Sequence, residues 1–328
     1  MPMRGVAAVM SQGWKWGMLL GLLAGPAVFA QGSQVPAAGV EPASEDAPRR
    51  EIPPLHLFYR AGVAARGNPS GLFTNLAFLA RHRLYVSDSL ALRDNYLAAG
   101  AIGMVSPALM RGGLGVEFQP LSILQLSASY EGVYFFGNFN FMQSYTTPNA
   151  VSSDRRMAEL GQAGQTYATT GTLLTLAGLL QLKVGPVAVR SNVRAFHFNM
   201  RLREGDTVFY DPLLDVVAPN GGWNLSKDTD VLYVAGKLAL GLRYTLTHAY
   251  YRPEHYAAGD QDMGLNPTIN RVGPFLAYTF HDREDLRFNA PTLVLVSQWF
   301  LSHRYRAGQE VNQGIPWIAL AFQFKGIL

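Results

Sequence analysis

ILQLSASYEGVYFF, residues 123–136, alternates with period two. Leu124, Leu126, Ala128, Tyr130, Gly132, Tyr134 and Phe136 fall on one face; Gln125, Ser127, Ser129 and Glu131 fall on the other. Successive side chains of a β-strand point to opposite sides, so this is a strand with one apolar and one polar face. It is longer than the roughly five or six residues of an ordinary globular strand. A strand that crosses a bilayer needs about nine to eleven.

The same scheme recurs outward from that stretch. LLTLAGLLQLKV sets Leu174, Leu176, Leu180 and Leu182 against Thr175, Ala177, Gln181 and Lys183. LALGLRYTLT sets Leu238, Leu240, Leu242, Tyr244 and Leu246 against Gly241, Arg243, Thr245 and Thr247. The pattern places strands at 55–66, 72–86, 95–106, 110–119, 122–136, 171–184, 187–203, 229–236, 238–251, 269–281, 291–306 and 315–328. That is about twelve, within a range of ten to fourteen, and an even number suits a single-chain bacterial barrel. QPLS (119–122), VGP (184–186) and HDREDLRFNAP (281–291) link strands on one side. The stretches 137–170, 204–230 and 252–268 are much longer. Short turns on one side and long loops on the other are the pattern of outer-membrane barrels. Aromatics near strand ends suit interfacial girdles: Tyr134, Phe135 and Phe136, Tyr250 and Tyr251, Trp299 and Phe300, and Trp317.

The final strand reads IALAFQFKGIL, with Ile318, Leu320, Phe322 and Phe324 on one face and Leu328 at its end. It resembles the C-terminal strand of the bacterial outer-membrane β-barrel class. The resemblance implies an all-β, transmembrane, antiparallel up-and-down barrel, a last strand read by the barrel-assembly machinery, and outer-membrane lipid around it. Leu328 stands where that class usually has an aromatic, and Gly326 interrupts the apolar face.

The N-terminal region fits export. Arg4 and Lys15 precede the apolar run WGMLLGLLAGPAVFA, which ends in a Val28-Phe29-Ala30 cleavage pattern. Residues 1–30 are expected to be a signal peptide cleaved near Ala30, and 31–54 a flexible Pro/Ala-rich periplasmic linker. The barrel is expected over 55–328. Removing 1–30 takes two bases and no acid, leaving 25 basic against 23 acidic residues, so net charge identifies no partner. With no cysteine, disulfides are excluded.

If the leucine faces meet lipid, the alternate positions line a lumen. The charged candidates are Arg60, Arg81, Arg83, Lys183, Arg190, Arg194, Arg243, Arg304 and Lys325, against Glu117 and Glu131. The expected outer loops hold twelve acids, Asp228 and Asp230 among them, against Arg155, Arg156, Lys227 and Arg252. A basic lumen favours anions. The same arginines and glutamates can instead interlock and fill a narrow barrel.

Signs of other chemistry are weak. GxSxG and HExxH are both missing, and Ser302 and His303, adjacent in one strand, face opposite sides. Glu254, His255, Asp260 and Asp262 form a loop cluster that could bind a divalent cation, but the spacing is not that of an EF-hand. A short helix is expected around 154–160, stopped at Gly161. Scattered arginines on strands make no nucleic-acid footprint, and no cofactor is implied. The expected function is passive passage of small, preferentially anionic solutes. A non-conducting structural or surface-interaction barrel is the alternative, and an outer-membrane lipid hydrolase a further one.

Overall fold

The computed structural model describes residues 53–328, except 88, 90, 284, 285 and 309–311. The expected signal peptide and nearly all of the linker lie outside the described residues. Twelve strands close into one antiparallel barrel: β1 (Leu55–Gly67), β2 (Gly71–His82), β3 (Tyr96–Val105), β4 (Leu109–Leu121), β5 (Leu124–Phe135), β7 (Thr169–Val184), β8 (Val187–Met200), β11 (Trp223–Ala235), β12 (Leu238–Ala249), β13 (Ile269–Thr279), β14 (Asn289–Ser302) and β15 (Trp317–Ile327). Three short strands, β6 (Ser144–Tyr145), β9 (Val208–Asp211) and β10 (Val216–Pro219), form a separate small sheet. No helix among the described residues is long and apolar enough to cross a membrane.

The seam joins β1 to β15, from Phe58 opposite Ile327 to Gly67 opposite Ile318. Closure leaves no strand edge unpaired, which lipid requires because it offers no hydrogen bonds. Ile318 and Leu320 are exposed on the outside, as are Leu114, Leu126, Leu180 and Leu242. Gly326 is a steric necessity, because a Cβ there would lie 1.7 Å from the Arg287 carbonyl oxygen. Leu328 N–H donates to the Leu57 carbonyl and extends the seam. Strand alternation places the start of β1, the end of β15, the two-residue turns 122–123, 185–186 and 236–237, and the connections β2–β3 and β13–β14 at one end of the barrel. The long segments 136–168, 201–222, 250–268 and 303–316 lie at the other, which makes it the outer end.

Three sequence readings change. β11 begins at Trp223, so 223–230 belongs to the wall and not to an outer loop. Phe135, Phe300 and Trp317 point inward and are buried, so the girdle aromatics on those strands are Tyr134 and Trp299. The helix α1 spans Asp154–Gln162, running past Gly161, whose missing side chain makes room for Asn140. The Ser153 hydroxyl caps its start by accepting from Arg156 N–H.

The outer half of the barrel is filled from above. The segment 201–222 folds inward as the β9–β10 hairpin. Its Phe209, Leu213 and Leu214 pack into one apolar cluster with inward-facing Phe135, Phe198, Met200, Phe300 and Trp317. Phe209 meets Phe198 edge-on at 5.3 Å and Phe135 at 6.2 Å. Returning each of these side chains to water costs roughly 1.5–3 kcal/mol, so this plug is a stable part of the fold.

Candidate functional site: a lower vestibule beneath a latched plug

The inward faces of the strands carry Arg60, Arg66, Arg81, Arg111, Lys183, Arg190, Arg194, Arg243, Arg271 and Lys325, with Glu117, Glu131, Asp228 and Asp230. Asp228 and Asp230 correct the outer-loop assignment. Asp230 lies directly across from Arg190 on one side and Arg243 on the other. It accepts from Arg190 at 2.5 Å and Arg243 at 2.7 Å. Asp228 accepts from Arg194 at 2.6 Å and from the Thr245 hydroxyl at 2.6 Å. These five charged side chains are buried and paired, three arginines against two aspartates, so most of the positive charge of the β8–β11–β12 wall is matched. Arg83 and Arg304 also leave the lumen. Arg83 lies beyond β2, exposed, with Nε on the Tyr85 carbonyl. Arg304 lies beyond β14 and donates to the carbonyls of Pro148, Asn149 and Ala150 and to Asn266. Both sit where the strand pattern frays, one or two residues past the last ladder pair.

Arg66, Arg111 and Arg271 were missed, although Arg66 shares parity with Arg60 on β1 and Arg111 with Glu117 on β4. Arg111 pairs with Glu131 at 3.5 Å. Arg66 donates to the carbonyls of Pro212 and Leu213 at the plug tip. Arg271 lies 4.3 Å from the centre of the Trp317 ring.

Below the plug is a vestibule of about 830 Å³. Its lining runs from Met104, Arg111 and Phe196 down to turn residues Asp94, Ser122, Gly185 and Asp282, so it reaches the periplasmic end. One stretch of wall, on β2 and β3, carries Leu79, Ala98 and Ile102; the stretch on β5 and β7, one strand further round, carries Gln125, Ser129, Thr175 and Gln181. Glu117 binds Arg60 and accepts from Tyr96 and Gln125. Arg81 lies over the Tyr96 ring at 3.9 Å. Lys325 stands opposite Arg60 across the seam. Neither Arg81 nor Lys325 has an acidic partner among the described residues.

The plug is held by a buried cluster. Arg306 donates to Asp215 at 2.7 Å, to Asp154 of α1 at 2.8 Å and to Asn68 of the β1–β2 turn at 3.2 Å. Tyr210 donates to Asp215 at 2.6 Å, and His303 Nε2 lies 3.2 Å from the same carboxylate. Burial acts to raise the Asp215 carboxyl, but Arg306 and His303 hold it well below the usual carboxylate range. Asp211 fixes the hairpin turn by accepting the N–H groups of Leu213 and Leu214.

Ser152, His303 and Asp215 line one small cavity of about 30 Å³. They do not make a hydrolytic triad. His303 Nδ1 accepts the N–H of Tyr305 and of Arg306, which places the ring proton on Nε2 facing Asp215. No ring nitrogen is left to take a proton from Ser152. The loop cation cluster is also divided. Glu254 pairs with Arg252, Asp260 accepts from Thr147 and Asn149, and His255 is buried between Arg252 N–H and the Asn220 carbonyl. Among the described residues no three His, Asp or Glu side chains converge on a metal position.

No protein-family model matches the chain, and no curated protein matches it. Solved outer-membrane proteins are similar in fold. The KdgM porin matches with a TM-score of 0.35 and 8% identity over 82% of this chain and 97% of that one. OccAB1 of Acinetobacter baumannii matches at 0.36 and 11% identity, over 84% and 96%. OmpT, an outer membrane protein of Vibrio cholerae, matches at 0.31 and 9%, over 86% and 100%. TM-scores this low carry no conclusion about what the chain binds or passes.

Proposed function

We propose that this outer-membrane barrel is a gated channel for small solutes, anions in preference. Its lower half is open to the periplasm, and the 201–222 segment closes its outer end. The supporting observation is the 830 Å³ vestibule, which has a polar wall and stops at a plug whose polar anchors are a few side chains, Arg306 and Arg66 foremost. Arg190, Arg194 and Arg243 are buried and paired with Asp228 and Asp230, so the preference for anions rests on Arg81 and Lys325 in the vestibule. Reversal potentials under a salt gradient test it: Arg81→Glu shifts an open pore toward cations, and an unchanged potential removes Arg81 from the selective path. The second reading is a permanently filled barrel, favoured by the apolar packing of Phe209, Leu213 and Leu214. Export through the expected signal peptide and recognition of β15 by the assembly machinery are part of the same proposal.

A further inference from the structure

The outward faces of the twelve strands are apolar or uncharged except at one position. Among the described strand residues, Lys227 of β11 is the one Lys, Arg, Asp or Glu that points into lipid. Its direct neighbours are Val193 on β8 and Leu246 on β12. It makes no hydrogen bond or ion pair with any described residue. It is the fifth residue of a strand that starts at Trp223 at the outer end, about 10 Å below that end. It therefore belongs to the outer half of the belt.

Beyond those two apolar neighbours, polar groups flank Lys227 on the same face. Thr229 lies two residues below it on the same face. Tyr244, opposite Thr229, and His248, opposite Leu225, are its diagonal neighbours on β12. The Tyr244 hydroxyl donates to Asn270, and His248 Nδ1 lies 2.9 Å from the Thr268 hydroxyl. An uncompensated cation on a lipid face is destabilising, increasingly so toward the bilayer centre. The Thr229 hydroxyl and the His248 ring beside it can supply donors for the oxygens of an anion that neutralises the ammonium.

We propose that this patch on β11 and β12 binds the phosphate of a lipid in the outer leaflet. The charge is complementary, the height is that of the outer leaflet, and lipid is the phase that the patch faces. The folded full chain in detergent, with bis-phosphorylated lipid A or phosphatidylcholine added, is examined by native mass spectrometry. The wild type retains lipid A in preference to phosphatidylcholine. Lys227→Gln lowers lipid A retention about tenfold, the scale of one charge-assisted contact, and Lys227→Arg keeps it. Heat-modifiable mobility confirms that both variants are closed barrels. Equal retention by Lys227→Gln overturns the proposal, as does retention of phosphatidylcholine as strong as that of lipid A.

Discussion

Arg306 Nε lies 2.7 Å from Asp215 Oδ2, and the same guanidinium reaches Asp154, so one side chain ties the plug to helix α1 and to the outer rim. Asp215 cannot be replaced by a simple apolar contact, because Tyr210 and His303 converge on the same carboxylate. Removing one partner of such a buried pair leaves the other charge unmatched, at a cost of about 3–5 kcal/mol. Arg306→Ala is therefore expected to free the 208–219 hairpin while the barrel strands stay protected. Hydrogen exchange resolved by peptide reads this, with faster exchange confined to the hairpin and its neighbours.

The latch has a definite pH dependence. Asp215 titrates well below the ordinary carboxylate value because Arg306 and His303 outweigh its burial. A depressed native pKa contributes stability that is fully present above about pH 4 and is lost as pH falls through the native value. Hairpin protection is expected to be the same at pH 7 and pH 5. Release at pH 5 would mean that another group controls the plug.

Asp230 pairs with two arginines at once. Asp230→Asn is expected to destabilise the barrel by roughly 1–3 kcal/mol, read as a lower denaturant midpoint. In a background with the latch removed, the same change exposes positive charge and moves the reversal potential toward anions. Arg194→Gln, which frees Asp228, is expected to move it the other way.

Gly326→Ala brings a methyl group against the Arg287 carbonyl, with Tyr59 donating to that same oxygen. The β1–β15 seam is expected to open locally at its periplasmic end. Heat-modifiable mobility after refolding measures the yield of closed barrel, which should fall. Leu328→Phe, at an exposed terminal position, should leave it unchanged.

The barrel was legible in the sequence wherever large apolar side chains recur at every second position, as in 124–134 and 238–246. Face parity follows from that alternation alone, which is why Arg60, Arg81, Lys183, Arg190, Arg194, Arg243 and Lys325 stand on inward faces. The start of β11 was illegible because Lys227 occupies an outward position and Asn224, Ser226, Asp228 and Asp230 fill the inward ones, so the run looked like an acidic loop. Ion pairs were illegible for a different reason. Parity names a face but not the cross-strand register, and Asp230 meets Arg190 and Arg243 only because β11 lies between β8 and β12. The plug is a tertiary choice. Nothing local in VFYDPLLDVVAP distinguishes an apolar hairpin that folds into the barrel from one that covers it.

Single-channel recording of the refolded wild type beside Arg306→Ala tests the gate most directly. A wild type that is nearly silent, with a variant that conducts and prefers anions, is the expected result. Equal, full conductance of both would contradict a latched plug, and silence of both, with the hairpin shown to be released, would contradict a channel.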